Sequence, residues 1–189
     1  MQESITIYNP LNDYRLILDT PFEVKRKIAA IKAAFDQDYK GIIIPGGQAF
    51  IYLAEFSARE LQEQDVVDQL NRIALGFMPF KLHLSNFDQS EESEIFIPLE
   101  NDLPAQMLVK QVDTMGSLPE GGRVNRLPRI TIAKGLQPFQ FVKSWKEYEK
   151  KNFSATFVAN KMLLLKRMEG FSSWQVLKEM AFQNLVVTP

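Results

Sequence analysis

The sequence predicts an α+β protein, a bilobal pseudo-two-fold arrangement of two antiparallel sheets with flanking helices around a central groove. Three observations lead there. Strand-like and helix-like segments follow one another in the order βαββα-ββ…βα-ββ. The stretches FIYLAEF (50–56) and RITIAKG (129–135) echo each other about 80 residues apart. No Pro-rich or low-complexity linker divides the 189 residues, so 1–189 is expected to form one domain of two intertwined lobes.

YRLILD (14–19) alternates as a strand does and runs into a helix over about 21–37. Thr20 is placed as its N-cap, Pro21 as its first residue and Glu23 as the partner in a capping box, with Phe22, Ile28, Ile31 and Phe35 at helical spacing. GIII (41–44) is a short strand ended by PGG. QAFIYLAEF (48–56) is a second strand, with Phe50, Tyr52 and Ala54 on one face and Ile51 and Leu53 on the other.

Ser57 and Glu60 read as a capping box opening a helix through Leu61, Val67, Leu70 and Ile73 that stops at Gly76. PFKLHLSNF (79–87) and SEIFIPLE (93–100) are expected to pair across the solvated acidic turn DQSEE. MLVKQV (107–112) fits a strand or a helix start, and GSLPEGGRVN (116–125) a mobile loop. The strand PRITIAKG (128–135) comes next. PFQFVKSWKEYEKKN (138–152) is a helix, with Phe139, Phe141, Trp145 and Tyr148 read mainly as core packing. SATFVANKMLLLKR (154–167) is read as one long strand and SSWQVLKEMAF (172–182) as a closing strand or short helix.

Composition excludes several classes of function. A hydrophobic fraction of 46% and a charged fraction of 24% are those of an ordinary globular chain. A net charge of −1 argues against holding nucleic acid by bulk charge, although 22 Lys and Arg leave room for a local basic groove. The absence of cysteine removes disulfides, thiol nucleophiles and sulfur-ligated metals. MQESITIYNP has no charged segment followed by an apolar one, and no apolar run approaches the roughly 20 residues of a membrane span. A cytoplasmic protein without membrane contact is expected.

The motifs of nucleotide-binding glycine loops, zinc proteases and serine hydrolases are missing. The GG pairs at 46–47 and 121–122 read as turns. With one histidine, no metal and no cofactor are expected, and Asp36, Asp38, Glu91 and Glu92 remain as the loose oxygen donors.

The two echoing strands carry a resemblance. RITIAKG resembles the PHITIAR strand of the 2H phosphoesterases, the family of bacterial 2′-5′ RNA ligases and cyclic phosphodiesterases, and FVANKMLLLKR…SSWQVLKEMAF resembles that family's last strands. The resemblance implies two H-x-T strands facing each other, one histidine acting as general base and the other as general acid on a 2′,3′-cyclic or 2′-5′ phosphodiester, with the hydroxyls holding the phosphate. Here the first motif falls on Phe50-Ile51-Tyr52 and the second on Arg129-Ile130-Thr131, so only Thr131 is kept. Lys134 stands where the family often has an arginine.

The replacements decide the chemistry. Phenylalanine has no proton to exchange, tyrosine with an ordinary pKa of about 10 is a poor base near neutrality, and arginine stays charged below about 12. The two-histidine relay is therefore gone, and each lost acid or base typically forfeits about 10²–10⁴-fold in rate. Arg129, Thr131 and Lys134 still suit an anion, and Phe50 and Tyr52 still offer stacking surfaces for a base. The competing reading pairs Arg129 with a nearby carboxylate and buries Phe50 in the core.

His83, in HLS (83–85), is the one histidine and is an outside candidate for a surviving half-site, but it lies only about 46 residues before Arg129. The expected function is that of a catalytically degenerate 2′-5′ RNA ligase/cyclic phosphodiesterase-like protein binding a nucleotide, an RNA end or a phosphorylated small molecule. The alternatives are an active phosphoesterase or RNA ligase using Tyr52, Thr131 or His83 with Arg129 as a clamp, and an interaction module without a small ligand. No feature of the sequence specifies an oligomeric state.

Overall fold

A computed structural model describes residues 8–39, 49–90, 93–114, 118–119 and 121–186. In chain order its strands are β1 (Leu11–Asp19), β2 (Phe50–Arg59), β3 (Phe80–Ser85), β4 (Asp88–Ser90), β5 (Glu94–Pro98), β6 (Arg123–Val124), β7 (Arg129–Ala133), β8 (Ser154–Ala159), β9 (Lys161–Arg167) and β10 (Gln175–Ala181). The helices are α1 (Phe22–Tyr39), α2 (Glu63–Gly76), α3 (Leu103–Thr114) and α4 (Pro138–Tyr148). This is the predicted α+β class, with every described strand pairing antiparallel.

Five strands form one sheet in the order β10-β9-β1-β2-β6. The other strands pair as β3-β8 and β4-β5-β7, and a bridge between Leu84 and Leu99 joins those two groups. The helices follow the apolar periodicity. In α1 the buried positions are Val24, Ile28, Lys32, Phe35 and Tyr39, and in α3 they are Ala105, Leu108, Val109 and Val112. The main core gathers Tyr14, Leu16 and Leu18 of β1 with Ile51, Leu53 and Phe56 of β2, Leu164 of β9 and the buried helix faces. A smaller cluster on the opposite face of the five-stranded sheet holds Ile17, Phe50, Leu163 and Leu165, with Tyr52 and Trp174 against it.

Several local expectations are corrected. The helix α1 begins at Phe22, so Pro21, not Thr20, precedes its first turn and accepts from the Lys25 N–H; the Thr20 hydroxyl donates to the Ala49 carbonyl, and Phe22 is exposed. Ser57 lies inside β2 and donates to Asp13, so the turn into α2 is closed instead by the Arg59 backbone N–H donating to Gln62 Oε1. The main partner of 80–85 is β8, and it is Asp88–Ser90, read as turn, that pairs with β5. Asn86, with φ of 54°, separates β3 from β4.

MLVKQV is helical, within α3. The run 154–167 breaks at Asn160, so β8 pairs with β3 while β9 enters the five-stranded sheet. The closing segment is the strand β10. Of the tract read as a mobile loop, Arg123 and Val124 form β6, and Phe139 is exposed on α4 rather than packed in the core. GIII, the GG pair at 46–47, Glu91 and Glu92 lie outside the described residues. No described helix is long and apolar enough to cross a membrane, and no cluster of potential metal ligands occurs among the described residues.

Candidate functional site

The two echoing strands become β2 and β7, and each carries a bulge one residue after its motif. On β2, Ile17 faces Tyr52 and Leu16 faces Ala54, which leaves Leu53 as the extra residue. On β7, Phe96 faces Thr131 and Ile95 faces Ala133, which leaves Ile132. The bulges invert the alternation, so Ile51, Leu53 and Ala54 are all buried, as are Ile130, Ile132 and Ala133. Ala54, which simple alternation places beside Phe50 and Tyr52, is 2% exposed and packs in the main core while still touching the cavity that Tyr52 lines. The same inversion sends Glu55 and Lys134 to the side occupied by Tyr52, Arg129 and Thr131.

A cavity of about 420 Å³ lies between the two strands. Tyr52, Arg129, Thr131 and Lys134 all line it, and Arg15, Glu55, Glu94, Arg123 and Asn125 complete its polar wall. Four cationic side chains (Arg15, Arg123, Arg129 and Lys134) meet two carboxylates (Glu55 and Glu94), leaving a surplus of two positive charges. Asn125 builds one rim. Its backbone N–H donates to the Leu53 carbonyl at 2.8 Å and its side-chain amide donates to the Tyr52 carbonyl at 3.0 Å. These bonds fasten the segment carrying Arg123 to the bulge of β2.

Phe50 does not enter this cavity. It is 9% exposed, packs edge-on against Tyr52 at 4.8 Å between ring centroids, and lines an adjoining cavity of about 230 Å³ with Lys25 and Trp174. Arg15 stands between the two spaces. Its guanidinium carbon lies 4.1 Å from the Trp174 ring and 5.3 Å from the Tyr52 ring, and it donates to the Tyr52 hydroxyl at 3.1 Å and to Glu55 at 3.3 Å. Burial pushes the Tyr52 phenol upward, only partly opposed by Arg15, so Tyr52 stays protonated near neutrality.

Arg129 is paired. Its Nη2 lies 2.5 Å from Glu94 Oε2, the Thr131 hydroxyl donates to Glu94 Oε1 at 2.5 Å, and the guanidinium carbon sits 4.2 Å from the Phe96 ring. Glu94 is only 7% exposed. Arg123 and Lys134 are exposed and have no ion-pair partner among the described residues.

His83 lies away from these groups. On β3, its Nδ1 is 2.5 Å from the Thr156 hydroxyl and its Nε2 is 3.3 Å from the Glu100 carboxylate, and it does not line the cavity. The motif alignment therefore brings four of the six candidates together, sets Phe50 behind Tyr52, and leaves His83 outside. Sequence reasoning missed Arg15, Glu55, Glu94, Arg123 and Asn125. A signal existed for Arg15, a charge inside an apolar alternating strand, and for Glu94, the acidic start of an apolar one; the other three depend on the bulges and on long-range pairing.

No protein-family model matches the sequence, and no curated protein matches it. Solved structures do. Escherichia coli LigT in complex with 3′-AMP superposes with a TM-score of 0.64 at 14% identity, covering 92% of this chain and 98% of that one. A phosphoesterase crystal structure gives a TM-score of 0.67 at 14% identity over 92% and 98% of the two chains. A Thermus thermophilus protein gives 0.61 at 15% identity over 90% and 98%. At such identities the likeness is one of fold, and the fold that the motif resemblance implied is the one observed: the chain has the LigT-like fold that these structures share.

Proposed function

We propose that this chain is a 2H phosphoesterase-like protein that has lost two-histidine hydrolysis and binds a nucleotide, an RNA end or another phosphorylated small molecule between β2 and β7. One observation carries the reading. Tyr52, Arg129, Thr131 and Lys134 line a single cavity with surplus positive charge, while the chain's one histidine is engaged elsewhere by Thr156 and Glu100. Proton transfer between two imidazoles is therefore unavailable in the cavity, whereas attraction for an anion persists. Support for a phosphate-bearing ligand comes from the fold: LigT has been crystallised with 3′-AMP, phosphate, NADP+ and ATP.

The test combines calorimetry and thermal melting against 3′-AMP, ATP and NADP+ with a hydrolysis assay on 2′,3′-cyclic nucleotides. Binding is expected to raise the melting temperature by mass action, with no turnover above buffer. Hydrolysis that vanishes in Arg129→Ala would overturn the loss of activity. A melting temperature that stays flat across the panel would make the chain an interaction module instead.

A further inference from the structure

We infer that Glu94 occupies, as an internal carboxylate, the anion position formed by Arg129 and Thr131, and that a ligand phosphate in this cavity is held instead by Arg123 and Lys134. The inference rests on the binding reading above and names the residues that perform it.

Both oxygens of Glu94 are engaged, one by the Arg129 guanidinium and one by the Thr131 hydroxyl, each at 2.5 Å. A cation and a hydroxyl on two oxygens of one anionic group is the arrangement a bound phosphate or carboxylate ligand would itself adopt. An incoming anion would have to expel a carboxylate that is 7% exposed and leave it unpaired beside new negative charge. Arg129 is further held over the Phe96 ring, so it does not swing freely toward a ligand.

Arg15 gives its two terminal nitrogens to Tyr52 and Glu55 and lies between two aromatic rings, with only its buried Nε left without a partner. The remaining cations on the cavity wall are Arg123 and Lys134, both exposed; Arg123 stands across the strand pair from Glu55, whose carboxylate is taken by Arg15. The register explains why Lys134 is left over. Lys134 follows Ala133, the last residue of β7 paired with β5, and Glu94 precedes its partner Ile95, yet the carboxylate turns back to Arg129 and Thr131. The motif remnant is thus self-occupied, and the working positive charge sits one step beyond it.

Calorimetry on the full chain, with inorganic phosphate and separately with 3′-AMP, tests this in four proteins: the unaltered chain, E94Q, E94Q/R129Q and R123Q/K134Q. Glutamine keeps the shape of Glu94 and its one amide oxygen can still accept the Thr131 hydroxyl, while the charge and the second acceptor, the one that holds Arg129, are lost. E94Q is expected to tighten phosphate binding by about tenfold or more, since one full negative charge leaves the cavity wall and the Arg129 donors are released. Adding R129Q is expected to remove that gain, and R123Q/K134Q to weaken binding at least about tenfold, with each variant's melt showing that it is folded.

No gain in E94Q, a gain that survives R129Q, or full binding by R123Q/K134Q would overturn the inference. If E94Q binds phosphate and the unaltered chain binds neither probe, the Glu94 assignment stands and the binding function proposed for the native chain falls. If neither protein binds either probe, both fall.

Discussion

Replacing either partner of the Arg129–Glu94 pair should destabilise the fold, but unequally. Glu94 is 7% exposed, whereas about a quarter of the Arg129 side chain, 24%, still meets solvent. In Arg129→Gln the carboxylate stays in place with only the Thr131 hydroxyl as a strong donor, a charge stranded out of water. Removing one member of a fully buried pair costs about 3–5 kcal/mol; because this cavity is open, about 2–3 kcal/mol is expected. In Glu94→Gln the amide still accepts a hydrogen bond and the freed guanidinium can turn to water, so the cost should be only about 0.5–1 kcal/mol. Urea unfolding of both single variants and of the double variant, with slopes compared to confirm two-state behaviour, measures these numbers and their coupling. If Glu94→Gln costs as much as Arg129→Gln, or if both cost less than about 0.5 kcal/mol, the reasoning that a buried carboxylate dominates this pair is refuted.

Three further outcomes are expected. In Gly122→Ala the new methyl would meet Leu118 Cβ at 2.9 Å and Phe56 Cβ at 3.2 Å, so thermal melting should show a loss of about 1–2 kcal/mol, and an unchanged melt would show that the segment before β6 yields freely. Arg167, followed by Ser57, holds the Asp13 carboxyl below its ordinary range against the opposing effect of burial, so its contribution is present above about pH 4 and lost as pH falls through the lower folded value; Asp13→Asn should flatten that part of the acid-unfolding curve, and an unaltered curve would deny the linkage. His83→Ala should leave 3′-AMP affinity within about twofold, because His83 contacts Thr156 and Glu100 outside the cavity, and a tenfold loss would return it to the site.

The parts of this molecule that were legible in sequence are those set by local periodicity. Ile28 and Phe35 of α1, and Val67, Leu70 and Ile73 of α2, fall on buried faces as their spacing requires. The strand echo was legible because its buried residues repeat, Ile51 and Ala54 matching Ile130 and Ala133. The bulges were not. Neither Leu53 nor Ile132 is a glycine or otherwise marks an inserted residue, and only pairing with β1 and β5 shows that each strand has one residue more than its neighbour across the motif. Pairing at long range likewise took β3 to β8, about 73 residues away, while the short turn between β3 and β5 was the nearer cue. That Arg129 would pair with a carboxylate was one of the two readings open in the sequence, but which carboxylate was not legible, because Glu94 reaches it from a different strand, 35 residues earlier in the chain.

The same registers allow the two halves of the site to be compared position by position. With Leu16–Ala54 matched to Ile95–Ala133, Arg15 corresponds to Glu94 and Glu55 corresponds to Lys134, so the two halves place opposite charges at equivalent positions. A symmetric pair of acid–base groups has no use for that inversion, since both strands would have to present the same kind of group to a phosphodiester between them. In the first half Arg15 and Glu55 neutralise each other beside aromatic rings. In the second, Glu94 is drawn to Arg129, and Lys134 is left facing the cavity. On the β2 side Arg123 stands opposite Glu55, so the β2 side (Arg15, Glu55, Arg123) and the β7 side (Glu94, Arg129, Lys134) each carry one surplus positive charge. The positive charge left over is thus divided between the two sides, as Arg123 on one and Lys134 on the other.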